Sequence, residues 1–433
     1  MKQTLNDSSG LGAATGPASA TGPATGRGSG SVWRHRDLRV IAAGRAGSLL
    51  GDELAIVATL LFAHAAGWGP AGVCGLLVVA ALPAVVGAVP AGRCADRFDS
   101  RSLLVTTALV QAVCAGILAA LVATGGRHPG LLATIGVLAA VFAVNAGQAV
   151  AGPAWLALVP AVVGAEAIGE GVSAVQLATQ ISAVCGPAVA GVVVGTWSAG
   201  AAIALDALSF LALAVAAAAV RTRRVPSPEQ ARRERARAGF DLFLREDRAL
   251  GRLLLGLLAV TLSAQVAAVV TVFLAEDELH AGARGYGLVM AAAAAGVGLG
   301  AVAAGRARSS RAQVWGALAG TAAAGLGVLL AAGAPDALLL GAFLALGGAG
   351  NGMLVVCFHA LALGRIPDRV RGRVVAAIVG TMQAATLGGL LLGGSVARAC
   401  GPRGALLLAG VLALGVSGLI ALTTRPGPAP AAR

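Results

Sequence analysis

Long apolar runs separated by short polar stretches fill almost the whole chain. Six runs fall at about 38–62, 71–92, 103–124, 131–156, 171–195 and 200–220. After a polar, Arg-rich interval at about 221–250, six more fall at about 251–274, 285–305, 314–333, 337–362, 374–397 and 403–423. Each is close to the ~20 residues that an α-helix needs to cross ~30 Å of hydrocarbon. A helix satisfies its own backbone hydrogen bonds there. The runs do not alternate apolar with polar positions, so the pattern speaks against a β-barrel. It predicts an all-α membrane protein with twelve transmembrane helices, divided as a tail over 1–37, a first bundle over 38–220, a central loop over 221–250, a second bundle over 251–423 and a tail over 424–433.

Composition agrees, since 57% of the 433 residues are hydrophobic and 12% are charged. A soluble domain has too much surface to hide that share of apolar groups. The net charge of +13 would point to nucleic acid in a soluble protein, but here the cations sit in short loops between runs. Counted by loop and run end, 27 Lys and Arg lie on the side of the termini and central stretch and four on the other side; only Arg45 falls deep inside a run. By the positive-inside rule this places both termini and the central loop in the cytoplasm of a multi-pass cell-membrane protein. Trp33, Trp68, Trp197 and Trp315 fall at run ends, as an aromatic belt requires. The head, with its echo "ATGPASATGPATG", is expected to be a disordered tail, with no cleavable signal peptide evident. The basic central stretch reads as an amphipathic helix on anionic lipid headgroups, so lipids are expected partners and nucleic acid is not.

The two halves echo each other. "GLLVVAALPAVVGAVPAGR" from Gly75 resembles "GLVMAAAAAGVGLGAVAAGR" from Gly287, and Pro160 precedes Gln176 by the same sixteen residues that separate Pro367 from Gln383. Duplicated, pseudo-symmetric six-helix bundles are a mark of secondary transporters. Between the second and third runs stands Gly92-Arg-Cys-Ala-Asp96-Arg97-Phe-Asp-Ser-Arg101. It resembles the G-x-x-x-D-R-x-x-x-R loop of the major facilitator superfamily, which implies a gate on the cytoplasmic side built on Gly92, Asp96, Arg97 and Arg101. The corresponding loop after the eighth run has lost the acid. In the fifth run, Gly186-Pro187-Ala-Val-Ala-Gly191 resembles the Gly-Pro motif of drug-exporting members, with Ala190 where glycine is usual. Plain small-residue packing accounts for it equally well.

The order of features, including "LRVIAAGRAGSLLGDELA", "GPAWLALVP", "LDALSF" and "IPDRVRGRV", is similar to the siderophore-exporter-like branch of the superfamily. That resemblance covers about Leu38 to Leu422. It implies the twelve-helix fold, a small-molecule substrate, protons as coupling ion and a monomer. Arg45 stands where that branch usually has Gln, so a substrate is not carried across.

A charge at bilayer depth is costly and is a functional candidate. Asp52 and Glu53 lie deep in the first run, with Arg45 two turns before Asp52 on the same face. A proton-coupled carrier needs a carboxyl that gains and loses a proton as its surroundings change. Glu53 and Asp52 are the candidates, with Arg45 as counter-charge or substrate group; a fixed pair that only holds the first helix explains Asp52 as well. Asp206 in the sixth run is expected to be a structural charge. Asn145, Gln148, Gln176, Gln180, Gln265, Asn351 and Gln383 are candidate cavity groups, or else interhelical hydrogen bonders. With 3% aromatics and a single Tyr286, a sugar site built on stacked rings is disfavoured, and a small amphipathic solute suits the chain better.

Cys74, Cys94, Cys114, Cys185, Cys357 and Cys400 have no ligand spacing, so neither disulfides nor a metal site are expected. The absence of Walker, H-E-x-x-H or dinucleotide motifs leaves no expectation of an enzyme or cofactor. A proton-coupled exporter by alternating access, an uptake carrier or uniporter, and a non-transporting receptor or scaffold remain open at this point.

Overall fold

The computed structural model describes residues 36–87, 94, 98–125, 129–163, 168–220, 248–365 and 371–423. The Gly92, Asp96 and Arg97 of the signature loop, the head up to residue 35, the central stretch over 221–247 and the tail after Thr423 lie outside these residues. Among the described residues all regular structure is helical: α1 (Arg36–Ala65), α2 (Pro70–Val86), α3 (Ser100–Thr124), α4 (Leu131–Val163), α5 (Ile168–Thr196), α6 (Ala199–Ala219), α7 (Arg248–Phe273), α8 (Gly282–Ala304), α9 (Ser310–Ala331), α10 (Ala337–Arg365) and α11 (Arg371–Thr423). A π-turn, Leu274–Glu278, ends α7. Ten helices are long and apolar enough to cross a membrane, and α2 is shorter.

The 53 residues of α11 would measure about 80 Å if straight, far more than one bilayer. Gly401, at φ 72°, breaks the helix into arms over 371–400 and 402–423, at the gap expected between 397 and 403. Glycine accepts this left-handed backbone without strain, and Pro402 has no N–H to continue the first arm. Arg403 fastens the break by pairing with Glu278 at the end of α7 and donating to the Ala332 carbonyl at 2.9 Å. At α4 the sequence expectation fell short: the helix runs on to Val163 instead of stopping near 156.

Hydroxyls inside the bundle are largely silenced by their own helices. Thr59, Thr271 and Thr321 each donate to the carbonyl four residues back, so they add little polarity. Outward, Leu132, Val215, Leu299 and Leu338 are exposed, as lipid contact requires.

Helices α1–α6 pack together, α1 against α5 and α6, and α3 against α4 and α6; α7–α11 form the second half, with α10 between α8 and α9 and α7 against α11. The halves join where α5 crosses α8 and α2 crosses α11. The start of α1 and the end of α11 mark a near end of the molecule; the 65–70 and 196–199 turns mark the far end. One apolar core spans both halves at the far end, from Leu54, Val73 and Val137 to Val269, Leu340 and Leu406. At the near end the core divides into one cluster per half, around Leu104 and Phe210 in the first and Leu253 and Phe358 in the second. Among the described residues, then, the halves are sealed at the far end and separate at the near end.

The tightest crossing within a half is α8 on α10. Gly296 and Gly300 face the carbonyls of Ala345 and Ala349, while Gly348 and Gly352 face those of Ala293 and Val297. Two interlocked small-xxx-small pairs let the backbones touch. Gly300→Val is therefore expected to cost about 3 kcal/mol, the upper end for overpacking, and to lower the melting temperature in detergent. Gly298→Val, where an added methyl meets open space, is the control and should melt as wild type.

Candidate transport site

The middle of α1 carries Arg45, Ser48, Gly51, Asp52 and Glu53 within nine residues. Neighbouring side chains on a helix point about 100° apart, so Asp52 and Glu53 serve different surroundings. Asp52 turns toward α4, where it accepts a hydrogen bond from Gln148 Nε2. The other end of that amide, Oε1, accepts from Arg45 Nη1 at 3.0 Å. One glutamine thus links the guanidinium and the carboxylate, and both charges are spent on a fixed bridge between α1 and α4. The counter-charge expected for Asp52 is there, but it arrives through Gln148. Gln148→Leu should leave both charges short of a partner and cost about 3 kcal/mol, on the scale of two hydrogen bonds to charged groups. Thermal unfolding in detergent checks this; an unchanged melting temperature contradicts the bridge.

Glu53 turns the other way, toward α5. Its Cβ and Cγ occupy the space that a side chain at Gly186 would fill, so the Gly-Pro motif provides the room for this carboxylate. Among the described residues Glu53 has no hydrogen-bond or ion-pair partner.

Two cavities meet at this residue. A polar one of about 250 Å³ is walled by Asp52, Glu53, Thr59, Asn145, Gln148 and Asp206 with apolar side chains of α1–α4. An apolar one of about 290 Å³ lies between the halves, walled by Glu53 and Pro187 from the first and by α7, α8, α9 and α10 from the second. Thr271 and Ser263 line the apolar cavity, but their hydroxyls donate to the Ala267 and Ala409 carbonyls at 2.7 Å. Glu53 and Asn351 are left as its polar features. An apolar body with one cationic or donor group would match such walls.

The far end closes over these cavities by backbone contact. Gly191 on α5 meets the Cα atoms of Gly287 and Arg284 on α8, and Gly287 faces the Pro187 carbonyl. On the opposite flank Cys74 Sγ donates to the Leu390 carbonyl at 3.0 Å, with Gly394 against Cys74. His64 at the end of α1 pairs with Asp277 beyond α7 at 3.1 Å and packs edge-on to Phe273.

The structure therefore brings Arg45, Asp52, Glu53, Asn145, Gln148 and Asp206 together and adds Asn351 across the second cavity. Asn145 donates to the Val141 carbonyl of its own helix at 2.9 Å. Gln180, Gln265 and Gln383 line neither cavity; Gln265 packs its Cβ against Gly389 of α11. The side chain of Gln176 lies outside the described residues. Arg101 donates to the Ala218 carbonyl and ties the start of α3 to the end of α6 within one half. The sequence did not point to Gly51 or Ser48, nor to the His64–Asp277 pair, whose members are far apart in the chain.

The model of the transmembrane secretion effector family, of major facilitator type, matches residues 34–429. No curated protein matches the sequence. Solved structures do match in fold. A bacterial homologue of the iron transporter ferroportin, in an inward-facing state, superimposes with a TM-score of 0.68 at 16% identity, over 88% of this chain and 98% of that one. A POT family transporter in complex with a thioalcohol-conjugated peptide gives 0.67 at 13%, over 89% and 96%. A D-xylose–proton symporter gives 0.65 at 17%, over 89% and 97%. At these identities the likeness establishes the major facilitator fold and nothing about substrate.

Proposed function

We propose that this chain, which belongs to the transmembrane secretion effector family of major facilitator transporters, exports small amphipathic molecules in exchange for protons by alternating access. The observation that carries this is the position of Glu53, a carboxylate without a partner among the described residues that walls both the polar cavity and the apolar cavity between the halves. A substrate with a donor or cationic group and a proton would then compete for one group, which is the simplest way to make one leave as the other binds.

Several further features support the reading. The break at Gly401 divides α11 into two arms, which with the ten other described helices supports a count of twelve. The 27-to-four division of basic residues puts the near end in the cytoplasm, so the conformation is open inward and sealed outward, ready to take substrate from the cell. The family's description as a secretion effector favours export, and the sequence likeness to siderophore exporters places drugs, siderophores and secreted metabolites among the solutes to try. The protein works as a monomer in the cell membrane, with lipids around its apolar belt.

Everted vesicles with an acid interior test this. Tetraphenylphosphonium, an apolar body with one positive charge, should enter them and drive protons out in step. Uptake without proton movement would favour a uniporter. Uptake of xylose in its place would overturn the substrate class.

A further inference from the structure

Asp206 was expected to be a structural charge, and its surroundings give it more to do. It is 1% exposed on α6 and forms part of the wall of the polar cavity with Asp52 and Glu53. One carboxylate oxygen accepts from Ser209 Oγ at 3.2 Å; the other, Oδ2, is enclosed and has no partner. Gly51 makes the approach possible, because a methyl group there would collide with Asp206 Oδ1 and Ser209 Oγ. On the same stretch of α1, Ser48 is fully buried and its hydroxyl also lacks a partner.

A carboxylate with a bare oxygen held away from water is strongly disfavoured unless a positive charge joins it. The charged groups near Asp206 come from α1: Asp52, within electrostatic reach, with Glu53 in the same wall and Arg45 beyond. Arg45 is committed to Gln148. The buried face of α3, which packs on α6, carries Leu104, Ala108, Gln111, Ala112, Ala115 and Leu118 and no charge. The described side chains of α5 carry no charge either; its Cys185 is exposed. From α4 the cavity receives Val141, Val144 and the amides of Asn145 and Gln148, and no charge. Three carboxyls thus share one wall, and Arg45, the cation nearest them among the described residues, is already engaged by Gln148.

We propose that Asp206 is a second proton-binding carboxyl of the cavity, exchanging a proton with the cavity whose wall it forms. This deepens the proton-coupled reading given above and rests on it for its place in the transport cycle. The proton's arrival neutralises a charge that nothing else in the wall compensates. Ser209 and Gly51 shape the seat.

Infrared difference spectra of the full-length protein in lipid, between acidic and alkaline buffer in H2O and D2O, test it. Wild type should show C=O bands of protonated carboxyls that shift in D2O. Asp206→Asn should remove one such band, Asp206→Glu should restore it at a displaced frequency, and Glu53→Gln should remove a different one. Spectra of Asp206→Asn that superimpose on wild type, with the fold intact by thermal melting, overturn the proposal, as does a wild type with no titrating carboxyl band. A structural role alone would lower the melting temperature and leave the bands in place. In everted vesicles at zero membrane potential, loss of one coupled proton should lower the steady-state tetraphenylphosphonium gradient about tenfold per unit of pH difference. An Asp206-dependent band without acid-driven flux would leave the proton seat standing and remove exporter coupling. Glu53-dependent flux with no Asp206-dependent band would do the reverse.

Discussion

Glu53→Gln should reduce proton-driven transport about 100-fold, equivalent to about 2.7 kcal/mol of lost driving interaction, while the protein keeps its fold. Glutamine has the same shape, and Glu53 makes no hydrogen bond or ion pair among the described residues that the change would break. What disappears is the capacity to be charged in one step and neutral in the next. Substrate exchange without a pH gradient should survive, because the apolar walls that hold the body of the solute are untouched. Asp52→Asn offers the contrast. It weakens the Arg45–Gln148–Asp52 bridge and should lower the melting temperature along with transport. Flux in everted vesicles and thermal unfolding, measured on both variants, separate the roles. Equal loss of stability in the two, or undiminished acid-driven flux in Glu53→Gln, would contradict the assignment of coupling to Glu53.

The second large effect concerns closure of the far end. Gly287 lies against the Pro187 carbonyl and the Cα of Gly191, with no room for a side chain. Gly287→Leu should therefore disfavour this conformation by about 1–3 kcal/mol and shift the population about 5–150-fold toward a state open at the far end. The contact lies between the halves, so each half can stay folded while the seal fails. A cysteine at Ala268, in the wall of the apolar cavity, reports on this in a background without the six native cysteines. In wild type a membrane-impermeant thiol reagent added outside should react slowly with it, and in Gly287→Leu quickly. Equal rates in both proteins would show that the α5–α8 crossing is not the outer seal.

Much of the fold was legible in the sequence because bilayer thickness fixes helix length. The runs at 38–62 and 103–124 became α1 and α3, and the gap before Arg403 became the break at Gly401. Helix ends followed local chemistry less faithfully: proline at 160 does not stop α4, which continues to Val163. The site was legible only in part. Sequence spacing put Arg45, Asp52 and Glu53 on one helix, but what separates the two acids is their direction around it. Asp52 meets Gln148, 96 residues away, and Glu53 meets Gly186; no pattern along α1 encodes either partner. The Gly-Pro stretch was visible as small-residue packing, while the side chain it makes room for was not. Asp206 was read as a structural charge, and the glycine at 51 that brings α1 close to it gave no sign in the run itself.

The central claim is that two halves rock about Glu53, opening one end as the other closes. Paired spin-label distances at both ends of one protein in lipid measure this directly. Trp197 and Leu338 are exposed at the far end, one in each half; Phe98 and Arg308 are exposed at the near end. On acidification, and reversed by tetraphenylphosphonium, the far-end distance should lengthen while the near-end distance shortens. Both distances moving in the same sense, or neither responding, would contradict the account.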